Sequence, residues 1–207
     1  MSLSPPDTNE LLRRATAGDA SAETALLVRH RDRLRHMVSI RFDERIAARV
    51  DPSDVVQDVL AKAARDLPGY LQSRPLPFYP WLRQMAWERL IQVHRRHIAV
   101  QSRSVLRERP LLSDASAQQL VAHLVDKSAS PDDQVEREET HQRLKAALAE
   151  LPVRDCEIVI MRFLEQLSTS EVAVILGMSV RNVQVRQLHA LRRLRRLLGA
   201  ESGEGRP

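Results

Sequence analysis

The stretch from Ser168 to Leu198, STSEVAVILGMSVRNVQVRQLHALRRLRRLL, constrains this chain most. It reads as a helix, a tight turn, and a second, cationic helix with no acidic residue. Ser168 can cap the first helix, and Glu171 stands three residues on, the spacing of a capping box. Val172, Ile175 and Leu176 fall on one helical face. Ala173 is small enough for a second helix to cross closely. Gly177 suits the turn, because a positive φ is inexpensive only without a Cβ. Met178 is expected to bury at the corner, and Ser179 to cap the second helix. In that helix Val180, Val183, Leu191 and Leu194 are expected to face inward, and Arg181, Asn182, Gln184, Val185 and Arg186 outward. Arg, Asn and Gln side chains can bond base edges in pairs. Arg192, Arg193, Arg195 and Arg196 come later and are better placed for phosphates. Such a unit presents a helix to the DNA major groove. The competing reading is a merely solvated basic helix. The capping box, Ala173, Gly177 and the pair Val180/Val183 weigh against it.

Composition points to the same kind of partner. Lys and Arg total 32 against 27 Asp and Glu, a formal net charge of +5. Only three of those cations are lysines, so arginine supplies nearly all of the positive charge. A basic balance favours an anionic partner, of which nucleic acid is the natural one. A membrane surface is the alternative, but no long apolar run or signal peptide appears. Cys156 is the single cysteine, so no internal disulfide can form, and a cytoplasmic setting is expected. His94 and His97 lie three apart on a predicted helix without a second ligand pair. No metal or cofactor is therefore expected.

Strand signals are almost absent, and helical spacing dominates, so the chain is expected to be all-α. A first block runs over residues 8–100. Its helices are expected over 19–41, with Leu26, Leu27, Leu34, Met37 and Val38 inward, and from Asp51-Pro52-Ser53 to a stop at Pro68-Gly69. The three prolines of 72–80 predict a loop, and a long helix follows over 79–97. Residues 101–131 read mainly as a linker, although Leu111, Leu112, Leu120, Val121 and Leu124 allow a short helix. Pro131-Asp132-Asp133 opens a second block, 132–199, in which Leu144, Ala147, Leu148 and Leu151 share a face. Pro152 begins a further helix with Ile158, Met161 and Leu164, and the tail after Gly199 frays. The expected architecture is two small helical domains on a tether.

The first block holds a second constellation. VDPSDVVQDVLAKA places Asp54, Gln57 and Asp58 on one polar helix face. FYPWLRQMAWERLIQVHRRH sets Phe78, Tyr79, Trp81 and Trp87 beside Arg83, Arg89, Arg95 and Arg96. Aromatics interleaved with cations suit single-stranded nucleic acid, whose unpaired bases stack on rings. The plainer readings are that one of Trp81 and Trp87 is core, since six residues separate them, and that Asp54 and Asp58 complement a helix dipole. Paired carboxylates can also serve acid–base catalysis, but no nucleophile, His or metal motif accompanies them, so no enzymatic role is expected.

Together the blocks resemble bacterial RNA polymerase sigma factors of the short extracytoplasmic-function type. DVVQDV resembles the helix with which sigma region 2 grips the polymerase clamp. PFYPWLRQMAWERL resembles the promoter-melting and −10-recognition segment, and LPVRDCEIVIMRFLEQLSTSEVAVILGMSVRNVQVRQLHALRRLRRLL resembles region 4, which reads the −35 element. The resemblance implies a factor that binds core RNA polymerase at its clamp and flap regions, recognises promoter DNA and melts it. An anti-sigma factor is a possible further partner. It assigns Asp54, Gln57 and Asp58 to the clamp and Trp81 to the melting segment, and it puts a flipped-base pocket in the loop 68–77. Larger sigma factors carry two adjacent tryptophans where this chain has Pro80-Trp81, so melting here would rest on fewer stacking platforms. Val185 and Leu188 stand where polar residues are common, and the sequence allows either contact with a thymine methyl or internal packing. A stand-alone helix-turn-helix regulator and a protein-binding helical adaptor are the rival readings.

Overall fold

The computed structural model describes residues 7–42, 50–98, 120, 143, 144 and 146–200. Among the described residues the regular secondary structure is all helix, as expected. The chain divides into two compact units. One comprises Met1–Ser39 and Arg45–Ile98, the other Ile40–Glu44 and Ala99–Pro207.

The first unit begins with α1 (Thr8–Thr16), where the Asp7 carboxylate accepts the Glu10 backbone N–H. Helix α2 (Ala20–Arg41) contributes the fully buried Ala22, Leu26, Leu34, Met37 and Val38. Asp51 caps α3 (Pro52–Ser73) by accepting from the Ser53 N–H, and Pro52 occupies the first turn, where no N–H is needed. Helix α3 packs on α1 and on α4 (Phe78–Ile98). Its Val55, Val56, Val59, Ala63 and Leu67 are buried, as are Leu82, Ala86, Leu90 and Val93 of α4.

Two expectations about prolines are corrected. Helix α3 does not stop at Pro68-Gly69 but continues to Ser73, with Pro68 inside it. A proline in a helix interior costs roughly 3 kcal/mol in lost bonding and crowding. Burial of Leu67 and Tyr70 on either side, and the Tyr70 hydroxyl donating to the Leu76 carbonyl at 3.0 Å, oppose that cost. The helix ends instead at Arg74, in the left-handed region at φ 39°. Likewise Pro80 is not in a loop but in the first turn of α4. The stretch between α3 and α4 therefore shrinks to residues 74–77, and most of the expected base-pocket loop is helix.

In the second unit, Leu144, Ala147, Leu148 and Leu151 are buried as one face, together with Cys156, Val159, Ile160 and Leu164 around α5 (Val153–Phe163). Leu120, one of the residues that allowed a short helix in the expected linker, is helical and fully buried in this core. The rest of the linker, Leu111, Leu112, Val121 and Leu124 with it, lies outside the described residues, as do Pro131-Asp132-Asp133 and the tail from 201. Ile40 joins the same core, and Arg41 beside it is completely buried. The Arg41 guanidinium donates to Glu157 at 2.6 and 2.9 Å and to Glu165 at 2.6 and 2.9 Å. Burial alone disfavours its charge, but the two carboxylates outweigh that and hold its pKa above the ordinary value. Burial, reinforced by the Glu157 charge, pushes the nearby Cys156 thiol up to about 12, so it stays protonated and acts as a small apolar group.

Helices α6 (Thr169–Leu176) and α7 (Val180–Ala200) complete the unit, packing on α5 and on each other. The predicted capping box is present. Ser168 Oγ accepts the Glu171 N–H at 3.2 Å, and the Glu171 carboxylate accepts the Ser168 N–H at 2.8 Å. Gly177 sits at φ 62°, the left-handed conformation that closes α6. Ser168→Ala removes one half of the box, and the second unit is expected to lose about 1 kcal/mol. Urea denaturation checks this, and an unshifted midpoint at constant m would show that the box contributes nothing.

Candidate nucleic-acid interface

The geometry of α7 decides which of its side chains can touch a ligand. Ser179 Oγ accepts the Asn182 N–H at 3.2 Å and fixes where the helix begins. Val183, Ala190 and Leu194 are buried at 0%, 1% and 2% exposure and define the inner face. Helical periodicity puts Arg181, Val185, Leu188 and Arg192 on the opposite side, within about 60° of arc. All four are exposed, and Gln184 and Asn182 are exposed at the edges of that stripe. Arg193, Arg195 and Arg196 are exposed in the later turns, Arg193 lying 4.0 Å from Glu150. An array of cations and amides along a helix with no carboxylate can accept base edges near its start and phosphates near its end.

Several inward and outward assignments differ from expectation. Val180, at the first position of α7, is 42% exposed rather than inward. Leu191 and Met178 are half-buried. Arg186, expected to face DNA, is half-buried, and its Nη1 donates to Asp155 on α5 at 2.7 Å. Its charge is thus partly matched within the protein, and it ties α7 to α5. Arg162 similarly bonds Gln187 at 3.2 Å and the Leu167 carbonyl.

The first unit presents a different kind of surface. Asp54, Gln57 and Asp58 are all exposed on one face of α3, opposite Val55, Val56 and Val59. Asp58 accepts from Arg89 Nε at 3.1 Å and Nη2 at 2.5 Å, so two residues assigned to different partners are partners of each other. Asp54 and Gln57 lie beside that pair on the same face.

The aromatic-basic segment is mostly structural. Phe78 and Tyr79 are 2% and 3% exposed, and Arg83 is 4% exposed, its guanidinium 6.0 Å from the Trp87 ring. These three cannot serve as open stacking or phosphate contacts as they stand, because they are buried: Phe78 lies against Tyr70 and His30, and Tyr79 against His30 and Arg33 of α2. Phe78 meets Tyr70 edge-on at 5.4 Å and Trp81 at 5.6 Å, and Trp81 stacks on Tyr70 at 4.5 Å. Trp81 and Trp87 are both half-buried, so each keeps some accessible ring, and Arg95 and Arg96 are exposed further along α4. His94 is buried, and the His97 side chain lies outside the described set.

Sequence reasoning missed the Arg41–Glu157–Glu165 cluster. Its signal was present, since Arg41 continues the apolar spacing of Leu34, Met37 and Val38, where a cation must find buried partners. Among the described residues no helix is long and apolar enough to cross a membrane.

Residues 141–194 match the family model described as sigma-70, region 4. That span lies within the second block and includes α5, α6 and most of α7. Among solved structures, the chain is similar to CnrH, solved in complex with the cytosolic domain of CnrY. The identity is 22%, the TM-score 0.52, and the match covers 94% of this chain and 99% of that one. A second similar structure is the sigma factor RpoE, in complex with the anti-sigma factor NepR from Bartonella quintana. It is 19% identical with a TM-score of 0.43, covering 84% of this chain and 95% of that one. No curated protein matches the chain by sequence. The likeness to CnrH is one of fold, and it extends over both helical units.

Proposed function

We propose that this chain, whose residues 141–194 match the sigma-70 region 4 model, is a sigma factor of the extracytoplasmic-function type that binds core RNA polymerase and directs promoter recognition and melting. The observation that carries the reading is the region 4 match on a helix-turn-helix whose outer stripe, Arg181 to Arg192, is exposed and cationic. The work is a cycle of binding steps with no covalent chemistry. The first unit docks on the polymerase clamp through Asp54, Gln57 and Asp58. The second meets the flap and sets the start of α7 in the major groove of the −35 element, where Arg181, Asn182 and Gln184 address base edges. Arg192, Arg193, Arg195 and Arg196 add phosphate contacts, whose affinity falls steeply with salt. Trp81 and the exposed Arg95 and Arg96 hold the opened −10 strand, where unpairing costs a few kcal/mol per flipped base. Two recognition sites on one chain raise each other's effective concentration.

The setting is the cytoplasm, where polymerase and promoter are. A protein partner that withholds the factor from polymerase belongs to the same reading, since CnrH was captured with a protein partner of its own. A stand-alone regulator is not favoured, because the likeness of fold extends over 94% of the chain and includes the first unit.

In vitro transcription with core polymerase on a promoter library, with start sites mapped, tests the reading directly. Start sites that need this chain and share two spaced elements are expected. Transcription that is indifferent to the chain would remove the proposal. Asp54→Arg is expected to weaken capture of core polymerase about tenfold, the scale of an inverted charge at a complementary interface. Asp54 is the sharper probe because Asp58 is already bound to Arg89. Undiminished capture by the variant would dismiss the clamp assignment while leaving the promoter elements to be judged separately.

A further inference from the structure

Val185 and Leu188 are 46% and 47% exposed, large apolar side chains in the middle of a cationic stripe. The buried side of α7 is Val183, Ala190 and Leu194, half a turn away, so among the described residues neither belongs to the core face. Arg181 precedes them by one turn and Arg192 follows by one, both exposed, and no residue of α7 is acidic. Such a surface is built for a polyanion, and an apolar pair at its centre must then meet whatever apolar feature a polyanion offers. In the DNA major groove that feature is the C5-methyl group of thymine, which no other base carries.

We propose that Val185, with Leu188 beside it, is a specificity-determining contact that reads thymine in the upstream promoter element through its methyl group. This rests on the placement of α7 in the −35 major groove given above. Val185 and Leu188 stand about 4.5 Å apart along the helix axis, slightly more than the ~3.4 Å between base pairs on one strand. The two side chains can therefore address neighbouring base pairs. Arg181, one turn nearer the helix start, is left to bond a guanine. The upstream element then carries one or two thymines next to the base pair that Arg181 reads.

Replacing thymine by deoxyuridine removes that methyl group and leaves every hydrogen-bonding atom in place. The test uses holoenzyme assembled from core polymerase and the full chain, on a promoter fragment selected by wild-type holoenzyme from a random upstream library. Each thymine of the selected element is exchanged for deoxyuridine in turn. Wild-type binding is expected to fall about three- to fivefold at one or two positions, the affinity equivalent of one buried methyl group. Val185→Ala is expected to weaken binding to the thymine fragment by a similar factor and to bind both fragments equally. Val185→Asn, of similar size but with an amide in place of both methyls, serves as a second variant, with the same loss of discrimination expected. Indifference of wild-type holoenzyme to every deoxyuridine, with its sequence preference intact, overturns this inference and spares the promoter reading. Failure to select any upstream element overturns both. Undiminished deoxyuridine discrimination by Val185→Ala, or weakened assembly of that variant with core polymerase, would mean that something other than Val185 reads the methyl or that the stripe is a protein contact. Either result also defeats the proposal.

Discussion

Arg41→Ala will destabilise the second unit by about 3–5 kcal/mol, the cost of leaving a buried charge without its counter-ion. Glu165 is fully buried and Glu157 nearly so, and both carboxylates bond the same guanidinium. Without Arg41, Glu165 keeps its charge in a site designed around a cation, or takes up a proton at a cost. Either way the folded state loses. The cost is local, so protection of the α5 backbone amides Ile158–Met161 against hydrogen exchange is the appropriate measurement. Arg41→Met combined with Glu165→Leu should recover part of the loss, because apolar groups of similar volume often replace a buried ion pair with little penalty. Unchanged exchange in the single variant would show that solvent, not Arg41, satisfies the two carboxylates.

The second large effect is expected at Phe78. Its ring is 2% exposed and meets the rings of His30 at 5.3 Å, Tyr70 at 5.4 Å and Trp81 at 5.6 Å. Phe78→Ala removes the centre of that cluster, and the surrounding helices cannot close the gap fully. Core Phe truncations typically cost 3–5 kcal/mol. Loss of that order is expected in the protection of α3 and α4 amides, with a changed Trp81 emission as its ring loses a neighbour. A cost below about 1 kcal/mol would mean that the site collapses and that the cluster is not what joins α3 to α4. The same variant bears on function, since Trp81 is held by the ring that Phe78 supports. Full-length transcription from a pre-melted promoter distinguishes a misplaced Trp81 from a lost fold.

The helix-turn-helix was legible residue by residue because its signals are local. Capping by Ser168 and Glu171, the left-handed Gly177 and the cap at Ser179 each depend on neighbours within four residues, and each is present. The all-helical class and the buried faces of α2, α3 and the Leu144–Leu151 segment were legible for a related reason, since periodicity reports burial along one element. The prolines misled because propensity is a weak prior against burial. Leu67 and Tyr70 hold α3 together across Pro68, and nothing within that stretch announces the partner helix that buries them. The candidate site divides in the same way. Asp54, Gln57, Arg181 and Gln184 are exposed as periodicity required. Phe78, Tyr79 and Arg83 were candidates by residue type and turned out to be core, because composition does not say which side of a seam a ring occupies.

Sequence alone determined the helical class, the turn that presents α7 and the cationic, carboxylate-free character of that helix, all properties of residues close together in the chain. Tertiary structure decided which charges are free to act. It bound Arg186 to Asp155 and Asp58 to Arg89, buried Arg41 between Glu157 and Glu165, and left Val185 and Leu188 facing outward beside Arg181. The physical reason is that a side chain's charge is set by its own chemistry, whereas its availability is set by partners that can lie more than a hundred residues away, as Glu165 does from Arg41.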